Sequence, residues 1–344
     1  MNKRYLNEKK LYLIPACICL AGLVGLFYYY FFTGFSHHTE VEYVYIDNDD
    51  NVDSVYNKLT PIGSRHGMTA LSTLMRHSDY AEHIRTGRFA INPGDGVVTM
   101  FRRLKNGQQT PIRITIPESR TVDRLAAVLG KRLMADSASI VDALTDSAFC
   151  ATLGYTPLTI PALFVPNTYE VYWNTSIEKF MQRMQKEHDA FWNYERLHKA
   201  EAIGLSSVEV CTLASIIDEE TANTKEKPMI AGMYLNRLKA GMPLQADPTV
   251  KFALGDFAIK RVRHGMLTID SPYNTYRYEG LPPGPIKIAS IKGIDAVLNR
   301  IGHNYLYMCA KEDFSGTHNF AATYKEHLQN AARYARALNE RGIE

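Results

Sequence analysis

Leu213-Ala214-Ser215-Ile216-Ile217-Asp218-Glu219-Glu220-Thr221 carries an apolar helix pattern into three consecutive acidic residues. Ser206 and Glu209 stand three apart just upstream, the spacing of a capping box, so the helix is expected to begin near Ser207. At about 100° per residue, Val210, Leu213, Ile216 and Ile217 share one stripe, and Glu220 falls inside it. Asp218 and Glu219 point away from that stripe. One carboxyl of the three therefore meets apolar surroundings, where loss of water favours its protonated form. A carboxyl kept protonated near neutral pH is a general acid ready for use. The plainer alternative is a helix end whose glutamate reaches out to solvent. Cys211, on the same helix, lies on the side away from Glu220 and is not read as a nucleophile.

Upstream of this helix, residues 11 to 35 contain no charged residue. Such a run is long enough to cross a hydrocarbon core of about 30 Å. Lys3, Arg4, Lys9 and Lys10 precede it against a single acid, Glu8, so the short N-terminus (residues 1–10) is expected on the cytoplasmic side. Tyr28, Tyr29, Tyr30, Phe31 and Phe32 read as an interfacial aromatic belt at the far end. The run is too long for the core of a signal peptide, and no small-x-small site follows it, so a retained single-pass anchor is expected rather than a cleaved leader.

Roughly 310 residues follow the anchor, enough for two domains. The chain carries 39 basic and 36 acidic residues, a net charge of +3, with no basic run, which argues against nucleic acid as a partner. Cys17 and Cys19 lie in the apolar run, and Cys150, Cys211 and Cys309 stand singly, without zinc-like or redox-like spacing. His37-His38 sits in a linker, and His264, His303 and His318 have no ligand spacing, so neither a metal site nor a cofactor is expected.

After a short linker at 36–40, Val41, Tyr43 and Tyr45 alternate with Glu42 and Val44 as in a strand. Asp50 or Asp53 is expected to cap a helix containing Val52, Val55, Tyr56 and Leu59, broken by Pro61-Ile62-Gly63-Ser64. A helix over 68–75, a strand over 87–91, the turn 92–96, a helix with Val98, Phe101 and Leu104, and a strand with Ile112, Ile114 and Ile116 complete a small α+β unit over 41–117. The larger region, 118–344, reads as mixed α+β. Thr121 is expected to cap a helix reaching Leu133, one long helical stretch runs from Ile177 to about Ala202, and another helix lies between Pro228 and Gly241. Residues 243–286 look loop-dominated, and a loop of that length in a compact domain is usually functional. Short strands at 305–309 and 318–320 precede a terminal helix over 322–341.

That loop segment carries Leu244-Gln245-Ala246-Asp247-Pro248-Thr249, then Ser271-Pro272-Tyr273-Asn274-Thr275-Tyr276, then Gly280-Leu281-Pro282-Pro283-Gly284-Pro285. Prolines and glycines set the path of the backbone while amides, hydroxyls and tyrosine rings line it. Such a surface suits a sugar polymer, with hydroxyls at its edges and apolar C–H faces. Tight turns with inward-packed tyrosines fit the same residues.

Taken together, the stretch 213–221, Tyr234-Leu235-Asn236-Arg237-Leu238, 244–250, 271–276 and 280–286 closely resembles the MltG (YceG-like) endolytic murein transglycosylases. Phe164-Val165-Pro166-Asn167-Thr168-Tyr169 resembles the family's Phe-x-Pro-Asp-Thr-Tyr with Asn in place of the acid, and Pro117-Glu118-Ser119 its Pro-Glu-Gly with Ser in place of Gly. Gly316-Thr317-His318-Asn319-Phe320 resembles its C-terminal Gly-x-His-x-Phe. The family's acidic element is Glu-x-Glu-Thr with the second glutamate catalytic, which implies Glu220 here, while Asp218 replaces the first. By the same motif match, Gln245, Asp247, Asn274 and Tyr276 are expected to hold sugars, and Tyr273 and His318 are either cleft or core residues. The resemblance also implies a LysM-like small domain over 41–117.

The resemblance implies cleavage of the β-1,4 bond between N-acetylmuramic acid and N-acetylglucosamine in nascent peptidoglycan glycan strands at the bacterial inner (plasma) membrane. Glu220 would act as acid and then base, leaving 1,6-anhydro-muramic ends. Two rivals differ from it: a muramidase-type hydrolase using Asp247 as second carboxylate, which requires carboxyls about 5–9.5 Å apart, and a non-catalytic, membrane-anchored glycan-binding scaffold for cell-wall synthases. Synthases are also candidate partners of the enzyme.

Overall fold

The computed structural model describes residues 3–259 and 261–342, with side chains from Leu13 onward. Met1 and Asn2 of the expected cytoplasmic stub lie outside the described residues, as do the side chains of its lysines and arginine. The chain divides into two compact units, one of Met1–Arg113, Arg132–Met134 and Glu170–Thr175, the other of Ile114–Lys131, Ala135–Tyr169 and Ser176–Glu344.

The first unit opens with helix α1 (Lys3–Phe32), whose apolar segment Leu13–Phe32 is exposed except at Tyr30 and Phe31. It is long and apolar enough to cross a membrane, and its leucines are exposed. The expected aromatic belt is divided in the structure. Tyr28, Tyr29 and Phe32 are exposed, whereas Tyr30 and Phe31 pack on the core of the unit, and Phe35, beyond the helix end, is fully buried within it. The backbone of Phe35 is held by Asp95 O at 2.6 Å and Ser64 N at 2.7 Å, so the end of the expected anchor, 11–35, is tied into this unit.

The rest of the unit comprises β1 (Glu42–Ile46), α2 (Val52–Leu59), α3 (Arg65–Arg76), β2 (Gly87–Ile91), α4 (Val97–Lys105) and the start of β3 (Ile112–Thr115). Strand β1 pairs antiparallel with β2, Val44 opposite Phe89. The strand forms as expected, with Val44 and Ile46 buried and Tyr43 and Tyr45 more exposed. The cap of α2 is Asn51, not an aspartate, in a capping box with Ser54.

In the second unit, α5 (Val122–Gly130), α6 (Ser137–Thr145) and α7 (Ser147–Thr152) follow one another. Helix α5 starts at the expected Thr121 cap but stops at Gly130, where a side chain would collide with Ser137. After β4 (Thr168–Val171), the stretch expected as one helix is two, α8 (Ile177–Phe191) and α9 (Tyr194–Ala202), because the Asn193 side chain leaves the helix path to cap Arg196 N–H. Next come α10 (Ser207–Glu220), α11 (Lys227–Lys239), α12 (Asp247–Leu254), α13 (Ile291–Leu298), the antiparallel pair β5 (Tyr307–Ala310) and β6 (His318–Ala321), and α14 (Tyr324–Glu340). Helix α12 falls within the segment expected as loop. Pro248 sits in its first turn, where the missing N–H costs nothing, and Gly255 ends it at φ +67°.

Helix α10 is the axis of this unit. Its Ser206–Glu209 capping box forms as expected, but burial is not confined to one stripe: Val210 through Ile217 are all buried, with α11, α12 and α13 packed around them. Two glycines permit close backbone approaches elsewhere in this unit. A Cβ on Gly232 of α11 would lie 2.3 Å from Ile301 O, and one on Gly284 would lie 2.1 Å from Leu158 O. Gly232→Ala is therefore expected to destabilise the protein by about 1–3 kcal/mol through overpacking, measurable by denaturant unfolding, while the exposed Gly302→Ala leaves the midpoint nearly unchanged.

Candidate active site

The three acids at the end of α10 occupy three different environments. Asp218 is the most deeply buried, its side chain 1% exposed. It pairs with Lys227 and accepts hydrogen bonds from Ser290 N–H at 2.7 Å and Ser290 Oγ at 2.8 Å. The expectation that Asp218 points away from the apolar stripe holds, but because α10 is enclosed all round, that direction leads to α13 and not to solvent. Glu219 is held by Arg120 and by Lys287, with both carboxylate oxygens engaged. Glu220 meets no cation in an ion pair among the described residues. Its one hydrogen bond is from Tyr234 Oη to Oε1, at 2.9 Å.

Glu220 lies on the wall of a cleft of about 350 Å³ built entirely within the second unit. Burial pushes its carboxyl up to about 7, opposed by the Tyr234 hydrogen bond and by Lys251, and reinforced by the negative charges of Asp247 and Glu219. The carboxyl is thus balanced between its two protonation states near neutrality, the condition for a group that must give and then recover a proton. Tyr234 is itself pushed far up by burial and by Glu220, so its hydroxyl remains a donor. Cys211 is buried and pushed up to about 12, which rules out a thiolate nucleophile there.

Helix α11 delivers Tyr234 and, one turn later on the same face, Arg237. Arg237 donates to Pro243 O at 2.8 Å, to Leu306 O at 2.9 Å and to Gln245 Oε1 at 2.6 Å, binding the start of the 243–286 segment to the approach of β5. Gln245 adopts φ +54°, an uncommon conformation for a residue with a side chain, stabilised by its N–H bond to Thr275 O at 3.0 Å. Asp247 accepts a 2.6 Å hydrogen bond from Tyr276 Oη, and both line the cleft.

Asn274, expected to touch sugar, does not reach the cleft. It is fully buried and donates to Leu267 O and Ile269 O at 2.8 and 2.9 Å while accepting from Tyr276 N–H at 3.1 Å. Its amide closes the turn that presents Tyr276. Tyr273 packs in the core, its ring 4.7 Å from that of Phe252. His318 is a cleft residue: Glu226 accepts from its backbone N–H at 2.6 Å and lies 2.9 Å from Nδ1, which assigns the ring proton to Nδ1 and leaves Nε2 as the other polar atom of the ring.

Residues that the sequence reading missed complete the opposite wall. Tyr307 of β5 stacks 5.4 Å from His327 of α14 and lies 5.8 Å from Tyr324, with Arg237 5.8 Å from its ring. Burial and the neighbouring Arg237 lower the pKa of His327, so the cleft wall is aromatic and neutral there. The Tyr234-x-x-Arg237 spacing beside an acidic helix was a readable signal. Nothing local marks Tyr307, Tyr324 or His327, which reach the cleft from the far end of the chain.

The chain matches the YceG-like family over residues 44–333. It is 30% identical to the endolytic murein transglycosylase of Bacillus subtilis (strain 168), with 76% of each chain covered. It is 26% identical to the protein of that name from Streptococcus pneumoniae serotype 2, the match covering 84% of this chain and 57% of the relative. Among solved structures, a yceG-like protein of Listeria monocytogenes superimposes with a TM-score of 0.55 at 25% identity, covering 85% of this chain and 99% of that one.

Two expectations follow from the site's geometry. Tyr234→Phe removes the bond that favours ionised Glu220, so the carboxyl midpoint, read by ¹³C NMR of labelled glutamate, is expected to rise above its wild-type position near 7. Asp218→Asn leaves Lys227 buried without its counter-charge and is expected to cost about 3–5 kcal/mol in denaturant unfolding, whereas Asp313→Asn, at an exposed loop, leaves the midpoint within about 0.5 kcal/mol.

Proposed function

The chain belongs to the YceG-like family, and from that premise we propose that it is a lytic transglycosylase of peptidoglycan, with Glu220 as general acid and then general base. The observation that carries this reading is the isolation of Glu220: one carboxyl, without a paired cation, raised to about 7 and aligned by Tyr234 in a cleft lined by amides, hydroxyls and rings. The bond cleaved is the β-1,4 linkage from N-acetylmuramic acid to N-acetylglucosamine, within nascent strands. Protonated Glu220 donates to the glycosidic oxygen as the C1–O4 bond breaks and positive charge develops at C1. The muramoyl 6-hydroxyl then bonds to C1, and its proton passes to the Glu220 carboxylate. The products are a 1,6-anhydro-muramoyl end and a free 4-hydroxyl, and no water is consumed. One carboxyl serves both steps because the nucleophile belongs to the substrate and is held at high effective concentration.

Gln245, Asp247, Tyr276 and His318 hold the sugars through hydrogen bonds, Tyr307 and Tyr324 meet their C–H faces, and Asn274 acts through the turn that carries Tyr276. The Asp247 carboxylate, occupied by Tyr276, orients substrate and raises the Glu220 pKa; it is not the second catalytic acid of a hydrolase. Helix α1 anchors the enzyme in the bacterial inner membrane, with the cationic N-terminus cytoplasmic and the catalytic region, 118–344, outside. The α+β unit over 41–117 is LysM-like and assists in holding the strand. Cell-wall synthases, which make the nascent strand, are its protein partners.

Mass spectrometry of products from uncrosslinked glycan strands tests this reading. Wild type is expected to yield internal fragments with anhydro-muramoyl ends, and Glu220→Gln to cleave about 10²–10⁴-fold more slowly. Reducing ends would establish a hydrolase instead, and unimpaired function of Glu220→Gln a scaffold. Because Glu220 must start protonated, the rate is expected to fall as pH rises through about 7.

A further inference from the structure

Consecutive residues of α10 and α12 turn to two different hollows. Glu220 and Asp247 face the main cleft, while Glu219, Pro248 and Lys251 line a second pocket of about 130 Å³, completed by Arg120, Phe252, Phe257 and Ile286. Its floor is apolar, but its chemistry is cationic. Arg120 lies with its guanidinium 5.3 Å from the Phe257 ring centre and uses one nitrogen, Nη2, to bind Glu219 at 2.5 Å. The other Glu219 oxygen faces Lys287 at 3.4 Å, and Lys287 also pairs with Glu118 at 3.2 Å. Both Glu219 oxygens thus face a cation, Arg120 on one side and Lys287 on the other, and neither forms an ion pair with Lys251. Lys251 is half-buried and has no ion-pair partner among the described residues. Two cationic heads, one aligned by a half-buried carboxylate and one without an ion-pair partner, thus border a small pocket next to the general acid.

We propose that this pocket is a subsite for a carboxylate borne on a branch of the substrate, held by Lys251 and by the free donors of Arg120. The inference rests on the transglycosylase reading and specifies which strands the enzyme prefers. At about 130 Å³ the pocket is smaller than the main cleft and suits a carboxylate on a short stem whose methylenes meet Phe252 and Ile286. The glycan backbone of peptidoglycan is neutral. Its carboxylates are the lactyl group of muramic acid, free where no peptide is attached, and the acidic groups of the stem peptide where one is. Both project from the muramoyl unit at which cleavage occurs. Charge-assisted hydrogen bonds to such a group are the strong kind and give discrimination against the neutral amide of the same shape.

The test compares kcat/KM of the full-length protein on two pairs of strands: peptide-bearing strands with stem carboxylates free or amidated, and peptide-free strands with the lactyl carboxylate free or amidated. Wild type is expected to favour the free acid in one pair by about tenfold, one charge-assisted bond's worth, and the pair that responds identifies the source. Lys251→Gln and Arg120→Gln are each expected to abolish the preference while still cleaving the amidated strands, which also reports that the variants fold. Lys251 bears on the Glu220 pKa, so the acid-to-amide ratio within each variant is compared, in which any change in the chemical step cancels. Equal rates on acid and amide in both pairs, or a preference that survives both substitutions, overturn the subsite. Absence of anhydro products from every strand with wild type overturns the transglycosylase reading, and the subsite with it.

Discussion

The buried ion pair of Asp218 with Lys227 governs the end of α10, and through it the site. A carboxylate with a side chain 1% exposed is costly unless its charge and lone pairs are met. Lys227 supplies the charge, and Ser290 supplies two hydrogen bonds while its Oγ also caps α13 through Gly293 N–H. Gly293 has no side chain for the same reason, since a Cβ there would press on the Asp218 carboxylate at 2.5 Å. The last turn of α10, the first turn of α11 and the start of α13 are thereby joined at one residue. With Asp218 fixed, the helical rotation to the next two residues directs Glu219 toward Arg120 and Glu220 toward Tyr234.

Three adjacent acids consequently behave as three kinds of group. Asp218 is ion-paired and structural, Glu219 is an orienting carboxylate for two cations, and Glu220 forms no ion pair among the described residues and is raised to about 7. The difference arises from what each side chain meets across the helix packing, not from the residues' own chemistry. The rest of the cleft follows the same logic: Arg237 and Asn274 hold backbone carbonyls so that Gln245 and Tyr276 are presented to the cavity.

The charge-free run at the N-terminus has a comparable division of labour. Its first part is a helix with bare apolar side chains, and its last residues turn inward, Phe35 becoming part of a protein core. Hydropathy treats both as equally apolar, because an exposed and a core-facing phenylalanine have the same composition. The contacts that separate them come from residues 60–96, which lie far along the chain.

By itself, the sequence determined the local features. The α10 capping box, the Thr121 cap, the strand at β1, the Pro228 start of α11 and the apolar N-terminal helix are all set by residues within a few positions of one another, where propensity and hydrogen-bonding geometry act directly. It also singled out Glu220, because helical periodicity carries a side chain's direction over one or two turns. Only the tertiary structure decided what that direction meets. Enclosure of α10 made Asp218, which periodicity places off the apolar stripe, a buried ion pair. A prolines-as-loop reading concealed α12, in whose first turn Pro248 sits without loss of a hydrogen bond. Asn274 was withdrawn into a turn, and Tyr307, Tyr324 and His327 were brought to the cleft from the C-terminal elements. Burial, ion pairing and cavity shape depend on contacts between segments distant in sequence, and local pattern carries no term for them.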